Sequence, residues 1–193
     1  IDTTPPSVNI TSSSGGGWFN SSLQMNVTVS DANGVNLVQG RFENLGDQNT
    51  GPWTNLTAQV GYWSITFDFG NFDNGNYSFR IRARDVPGNL NSSEKASIGG
   101  VDRTAPLLNT LNATPSFGAP GTLFNISANL TETNIDVAQA RIFSKQTGTG
   151  STVNLTAVGG IYSGIWNSSG FGAGTYLLNL TFTDFAGNRR FLK

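Results

Sequence analysis

Tyr77-Ser78-Phe79-Arg80-Ile81-Arg82-Ala83-Arg84-Asp85-Val86-Pro87-Gly88-Asn89 alternates apolar and polar residues up to Arg84 and then breaks on Asp, Pro, Gly and Asn. A period of two describes a β-strand with Tyr77, Phe79, Ile81 and Ala83 on a core face and Ser78, Arg80, Arg82 and Arg84 on the other. The closing Asp-Val-Pro-Gly-Asn reads as a turn. The same pattern returns at Tyr176 through Asp184-Phe185-Ala186-Gly187-Asn188, at an offset of 99 residues.

Further blocks repeat at 99 or 100 residues. Thr4-Pro5-Pro6 matches Thr104-Ala105-Pro106, Val35 through Phe42 matches Ile135 through Ile142, and Asn55-Leu56-Thr57-Ala58 matches Asn154-Leu155-Thr156-Ala157. Self-similarity at an offset of 99 to 100 residues predicts two copies of one unit, divided as residues 1–103 and 104–193. Within the first copy the periodicity predicts strands at 7–11, 23–30, 35–43, 53–58, 62–69, 76–84 and 95–101. Ile135 to Lys145 also fits a helical spacing, but its partner segment holds Gly40 in the same register, and Val35 and Phe42 favour a strand. Seven short strands in about 100 residues, separated by Gly, Asn and Asp clusters, predict an all-β chain of two tandem immunoglobulin-like Greek-key sandwiches.

The second copy is shorter. The first runs past Asp85 into an apolar last strand, Lys95-Ala96-Ser97-Ile98-Gly99-Gly100-Val101, whereas Lys193 is the equivalent of Glu94. The expectation is a second sandwich lacking most of its last strand, with unpaired backbone and apolar core side chains along an open edge. Strand addition would close it: Ile1 to Thr11 of another copy is the candidate donor, with Val8 and Ile10 as its core residues. Because donor and groove are different surfaces, such contacts propagate head to tail.

Composition narrows the chemistry. The chain of 193 residues has no Cys, no His and a formal net charge of -1. This excludes Ser-His and Cys-His catalysis, His or Cys zinc sites and a disulfide scaffold. Cations cluster no further than Arg80, Arg82 and Arg84, so nucleic acid is not an expected partner. No apolar run approaches the roughly 20 residues that span a bilayer. The chain opens on Ile1-Asp2 and Pro rather than on a signal sequence, which for a secreted protein implies a processed form.

Twelve Asn-x-Ser/Thr triplets occur, at Asn9, Asn20, Asn26, Asn55, Asn76, Asn91, Asn112, Asn125, Asn129, Asn154, Asn167 and Asn179. With 22 Asn and 40 Ser plus Thr, chance gives roughly 5. Asn26, Asn125, Asn129 and Asn179 each alternate with apolar neighbours and so fall on the polar face of a strand. N-glycosylation of several of them, and hence export to an extracellular cell-surface location, is expected.

Asp2-Thr3-Thr4-Pro5-Pro6 at the head of a copy and the strand ending Arg84-Asp85-Val86-Pro87-Gly88-Asn89 resemble the bacterial and archaeal Ig-like repeats carried in tandem on cell-surface proteins. The short second copy and the glycosylation triplets also resemble archaeal thread-type pili, whose subunits join by donor-strand complementation. The resemblance implies a structural subunit of a glycosylated filament that polymerises with identical subunits. The alternative is an Ig-like repeat of an adhesin or surface-layer protein that binds a partner or surface glycans.

Enzyme chemistry is not expected. Asp85 and Asp184 recur before Gly-Asn, which favours turn capping over catalysis. Glu43, Glu94 and Glu132 form no evident acid-base pair. No cofactor or metal is expected beyond a minor calcium possibility involving Asp31-Ala32-Asn33-Gly34, Asp73-Asn74-Gly75 or, above all, Asp102. Trp18, Phe19 and Trp53 are candidates for stacking on sugars, and Lys95, Lys145 and Lys193 for Lys-Asn crosslinks.

Overall fold

Residues 1–12, 17–132 and 134–193 are described in the computed structural model. The chain divides into two compact units, Ile1–Arg103 and Thr104–Lys193. In the first, the two-residue periods produce β1 (Ser7–Ser12), β2 (Gly17–Phe19), β3 (Ser22–Ser30), β4 (Val35–Asn44), β5 (Thr54–Asn55), β6 (Thr57–Ala58), β7 (Trp63–Asp68), β8 (Gly75–Asp85) and β9 (Leu90–Val101). One sheet has the order β1-β3-β7-β6 and the other β2-β9-β8-β4-β5. The second unit comprises β10 (Leu108–Thr114), β11 (Leu123–Leu130), β12 (Ile135–Ser144), β13 (Gly150–Asn154), β14 (Thr156–Val158), β15 (Ile161–Asn167), β16 (Tyr176–Asp184) and β17 (Arg189–Leu192). Its sheets are β10-β11-β15-β14 and β13-β12-β16-β17. The all-β sandwich class expected from the sequence is therefore the observed one.

Each core lies between its two sheets. Met25, Val27, Val38, Phe42, Phe69, Phe79, Ile81 and Ile98 are buried in the first, and Ile126, Ala128, Ala140, Ile142, Leu180 and Phe182 in the second. Burying a large apolar side chain contributes about 1.5–3 kcal/mol. The copies distribute volume differently across matched positions. Val38 faces Ala83 across β4–β8, while Ala138 faces Phe182 across β12–β16. Gly40 leaves room for the Phe79 ring, and the equivalent positions hold Ala140 and Leu178.

The expected strand 53–58 is interrupted. Leu56 turns inward and is buried, its N–H donating to the Val38 carbonyl at 2.9 Å, so β5 pairs with β4 and β6 with β7. Leu155 does the same against Ala138 at 2.8 Å. The chain thus crosses from one sheet to the other at a single inward-facing leucine in both copies. Strand β2, not expected from the sequence, runs parallel to β9 through Gly17↔Gly99, Trp18↔Gly100 and Phe19↔Val101. That approach depends on Gly99, at φ +95°, because a Cβ there would overlap the Gly17 carbonyl.

A tyrosine corner ties each sandwich, as in other sandwiches of this architecture. Tyr77 Oη donates to the Asp73 carbonyl at 2.9 Å, and Tyr176 Oη to the Gly172 carbonyl at 2.7 Å.

The proposed donor segment has a place in its own unit. Val8 is buried and Ile10 packs against the same core, with β1 paired to β3 through Val8↔Val29 and Ile10↔Val27. Donating them to another copy would require this ladder to open.

Candidate functional site

Three regions gather chemistry-bearing residues. The first is the edge of the second unit. Strand β17 pairs with β16 from Thr183 to Leu180, whereas β9 pairs with β8 along its length from Gly75 to Arg84. In the first unit Ile98 and Val101 of β9 are fully buried. In the second, a cavity of about 410 Å³ opens among Phe124, Ile126, Ile142, Trp166, Phe171 and Tyr176. Trp166 is 6% exposed, and its indole N–H meets no acceptor among the described residues. A buried donor without an acceptor is costly.

The second region is the turn after β8. Asp85, fully buried, accepts from the N–H groups of Gly88 and Asn89 at 2.6 Å each and from Asn89 Nδ2 at 2.8 Å. Burial pushes this carboxyl up, but the bonds from the Asn89 side chain and the two backbone N–H groups more than reverse it. Asp85 therefore titrates below the usual carboxylate range. Asp184 repeats the arrangement with the N–H of Asn188 at 2.8 Å and its Nδ2 at 2.9 Å. Both residues have the turn-capping role expected of them. Asp2, Asp31 and Asp85 bring carboxylate oxygens within 4.8 Å of one another and are the donor set suited to a hard cation among the described residues. This group includes Asp31, one of the calcium candidates read from the sequence, and lies at the opposite end of β8 from the foremost one, Asp102, which accepts from Asn74 Nδ2 at 3.2 Å.

The third region is the outer face of β4 and β8. Register sets Arg41 across from Arg80 and Gln39 across from Arg82, with Asn55 of β5 beyond Gln39. Arg82 Nε donates to Gln39 Oε1 at 2.7 Å, and Gln39 Nε2 to Asn55 Oδ1 at 2.7 Å. The half-buried Trp53 ring meets the Arg41 guanidinium at 4.6 Å and that of Arg82 at 4.3 Å. Arg80 Nε pairs with Glu43 Oε2 at 2.9 Å. The run Arg80, Arg82, Arg84 was visible in the sequence; the addition of Arg41 and Trp53 was not, since only strand pairing brings them together.

The remaining candidates disperse. Phe19 packs on Phe69, with ring centroids 6.0 Å apart, and Trp18 lies over Gly100. Glu132 Oε1 accepts from the Asn134 N–H at 3.3 Å. The side chains of Glu94 and Lys95 lie outside the described residues, while Lys145 is exposed and Lys193 Nζ sits 5.7 Å above the Phe191 ring. Among the twelve triplet asparagines, Asn9, Asn55, Asn76, Asn112, Asn125, Asn154 and Asn167 are exposed; Asn20, Asn26, Asn91, Asn129 and Asn179 are half-buried. The Asn91 amide is engaged, donating to the Pro6 carbonyl.

No protein-family model and no curated protein sequence matches the chain. Among solved structures, the FN1-FN3 domains of chicken CNTN1 align over 99% of this chain and 66% of their own length, at 12% identity and a TM-score of 0.55. The likeness is one of fold, an Ig/FN3-like sandwich. Looser likenesses are to a tetra-tandem repeat from the extending region of a large adhesion protein, at 18% identity and TM-score 0.40 over 97% of this chain and 47% of that one. A bacterial ice-binding adhesin of 1.5 MDa aligns at 21% identity and TM-score 0.48 over 96% and 60%. The chain thus spans two thirds or less of each. No helix among the described residues is long and apolar enough to cross a membrane.

Proposed function

We propose that this chain is a pair of Ig-like repeats from an extracellular, N-glycosylated surface protein of the adhesin or surface-layer kind, acting by binding and spacing rather than by catalysis. The observation that carries the reading is the set of twelve acceptor triplets, well above chance, with no acceptor asparagine fully buried in either sandwich. Sandwiches repeated in tandem without Cys or His suit a spacer that presents sheet faces and loops. The test is intact mass and glycopeptide mapping of native material, together with antibody labelling of unbroken cells. Masses above the 20.5 kDa polypeptide for this segment and labelled cells are expected. Unmodified peptides and labelling only after lysis would overturn the reading.

A second reading is favoured by the groove beside Trp166. An extended strand from a second copy would pair with the open edge of β16, place apolar side chains where β9 puts Ile98 and Val101, and offer a carbonyl to the Trp166 N–H. Polymers built this way give a ladder in SDS that collapses on boiling, and fibres by electron microscopy. A single monomer band at both temperatures overturns the polymer.

A further inference from the structure

Residues 1–103 carry six cations, and four of them, Arg41, Arg80, Arg82 and Arg84, lie on the outer face of β4 and β8. The placement is unfavourable for a sheet by itself, because like charges directly opposite one another, as Arg41 and Arg80 are, repel. The second unit keeps Arg141 at the position of Arg41 but shows that the sandwich does not need the other three. Asn179, Thr181 and Thr183 occupy the positions of Arg80, Arg82 and Arg84, and Thr152 that of Trp53, yet the frame beneath is kept: Gln139 Nε2 still donates to Asn154 Oδ1, at 3.0 Å. The three arginines of β8 and the tryptophan are additions to a face that folds without them.

Their arrangement has the parts of a ligand platform. Two guanidiniums lie over the Trp53 ring and hold it in place, and the residue remains partly exposed. Arg82 is anchored through Gln39, Arg84 is exposed, and Arg80 keeps 40% of its side chain exposed. Arg41 Nε meets no acceptor among the described residues. The chemistry that answers this face is already present in one copy: the Glu43 carboxylate on Arg80 at 2.9 Å. A planar guanidinium fork matches a carboxylate through paired hydrogen bonds, while an aromatic ring accepts the apolar side of a sugar.

We propose that this face of the first unit binds an acidic polysaccharide, a chain of carboxylate-bearing sugars, with carboxylates on Arg80 and Arg84 and a sugar ring stacked on Trp53. The proposal deepens the adhesive reading by naming a partner, and it is tested independently of where the protein resides.

The experiment is calorimetric titration of the full chain with polygalacturonate oligomers, with heparin and neutral dextran in parallel. Binding to polygalacturonate that weakens with added NaCl is expected, with none to dextran. Installing the second unit's residues, Arg80→Asn, Arg82→Thr and Arg84→Thr together, should weaken binding by about tenfold or more while far-UV circular dichroism is unchanged. Arg84→Thr alone, at an exposed position, should weaken it by a smaller factor, which keeps the test decisive if the triple variant folds poorly. Trp53→Thr should also abolish any change in tryptophan fluorescence on binding. Absence of polygalacturonate binding, binding to heparin alone, equal binding to dextran, or full affinity in Arg84→Thr and the triple variant would each overturn the proposal.

Discussion

Gly40→Ala probes how the two copies reach the same fold with different side chains. A Cβ on Gly40 would lie 2.7 Å and 2.8 Å from two carbons of the Phe79 ring and 3.2 Å from Leu56. Those contacts force the ring to move within a cluster where it sits 5.5 Å from both Phe42 and Phe67. Overpacking of this kind costs about 1–3 kcal/mol, against a gain of about 0.4–1 from restricting the unfolded chain. A net loss of about 1–2 kcal/mol is therefore expected. Phe79→Leu alone should cost about 1–3 kcal/mol through lost burial and a residual cavity. The double variant recreates the Ala140 and Leu178 combination of the second unit, so its loss should fall short of the sum by about 1 kcal/mol or more. Urea denaturation of the full chain followed by tryptophan fluorescence reports mainly on the first unit, which holds three of the four tryptophans. Additivity within about 0.5 kcal/mol would refute the claim that these two positions compensate each other.

Tyr77→Phe removes a partly buried bond to the Asp73 carbonyl and an acceptor for Asn44 Nδ2, whereas Tyr176→Phe removes one exposed bond. Thermal unfolding should show losses of about 1.5–2.5 and about 0.5–1 kcal/mol respectively, and the reverse order would contradict the burial argument. Asp85→Asn should destabilise the chain at neutral pH. Because the native carboxyl titrates below its ordinary value, with the carboxylates of Asp2 and Asp31 its acidic neighbours, its contribution is full above about pH 4 and lost as pH falls through the depressed native value. The gap between wild type and variant should close on acidification; a gap that widened would show the sign to be wrong. Gly99→Ala combines left-handed backbone with overlap on the Gly17 carbonyl. It should release β2, seen as faster amide exchange at Trp18 and Phe19, and unchanged protection there would refute the close-approach argument.

Strands β8 and β16 were legible from their alternation, which runs from Tyr77 to Arg84 without a break and from Tyr176 to Thr183 with Leu177 as the one exception. Legibility failed where tertiary pairing overrides local pattern. Gly17-Trp18-Phe19 is too short to show a period and becomes a strand only because β9 accepts it alongside. The segment 53–58 looked continuous because an inward Leu56 keeps the alternation while changing sheets. For the candidate site, three arginines could be read from one strand, but Arg41, Gln39, Trp53 and Asn55 join them only through the register of β4 and β5. Val8 and Ile10 were read as apolar and alternating, which is correct, but alternation does not say whose core they fill; pairing with β3 does.

Strands β2 and β9 are parallel, and one lies near the start of the first unit while the other leads out of it. Tension drawn along the chain pulls the leading end of β2 and the trailing end of β9 in opposite directions, parallel to their own axes. The hydrogen bonds between them are then loaded in shear and must fail together, instead of peeling one at a time. The Gly99-Gly100 pair that admits β2 thereby adds a three-residue shear contact behind the β1–β3 ladder, which meets tension from the same side first.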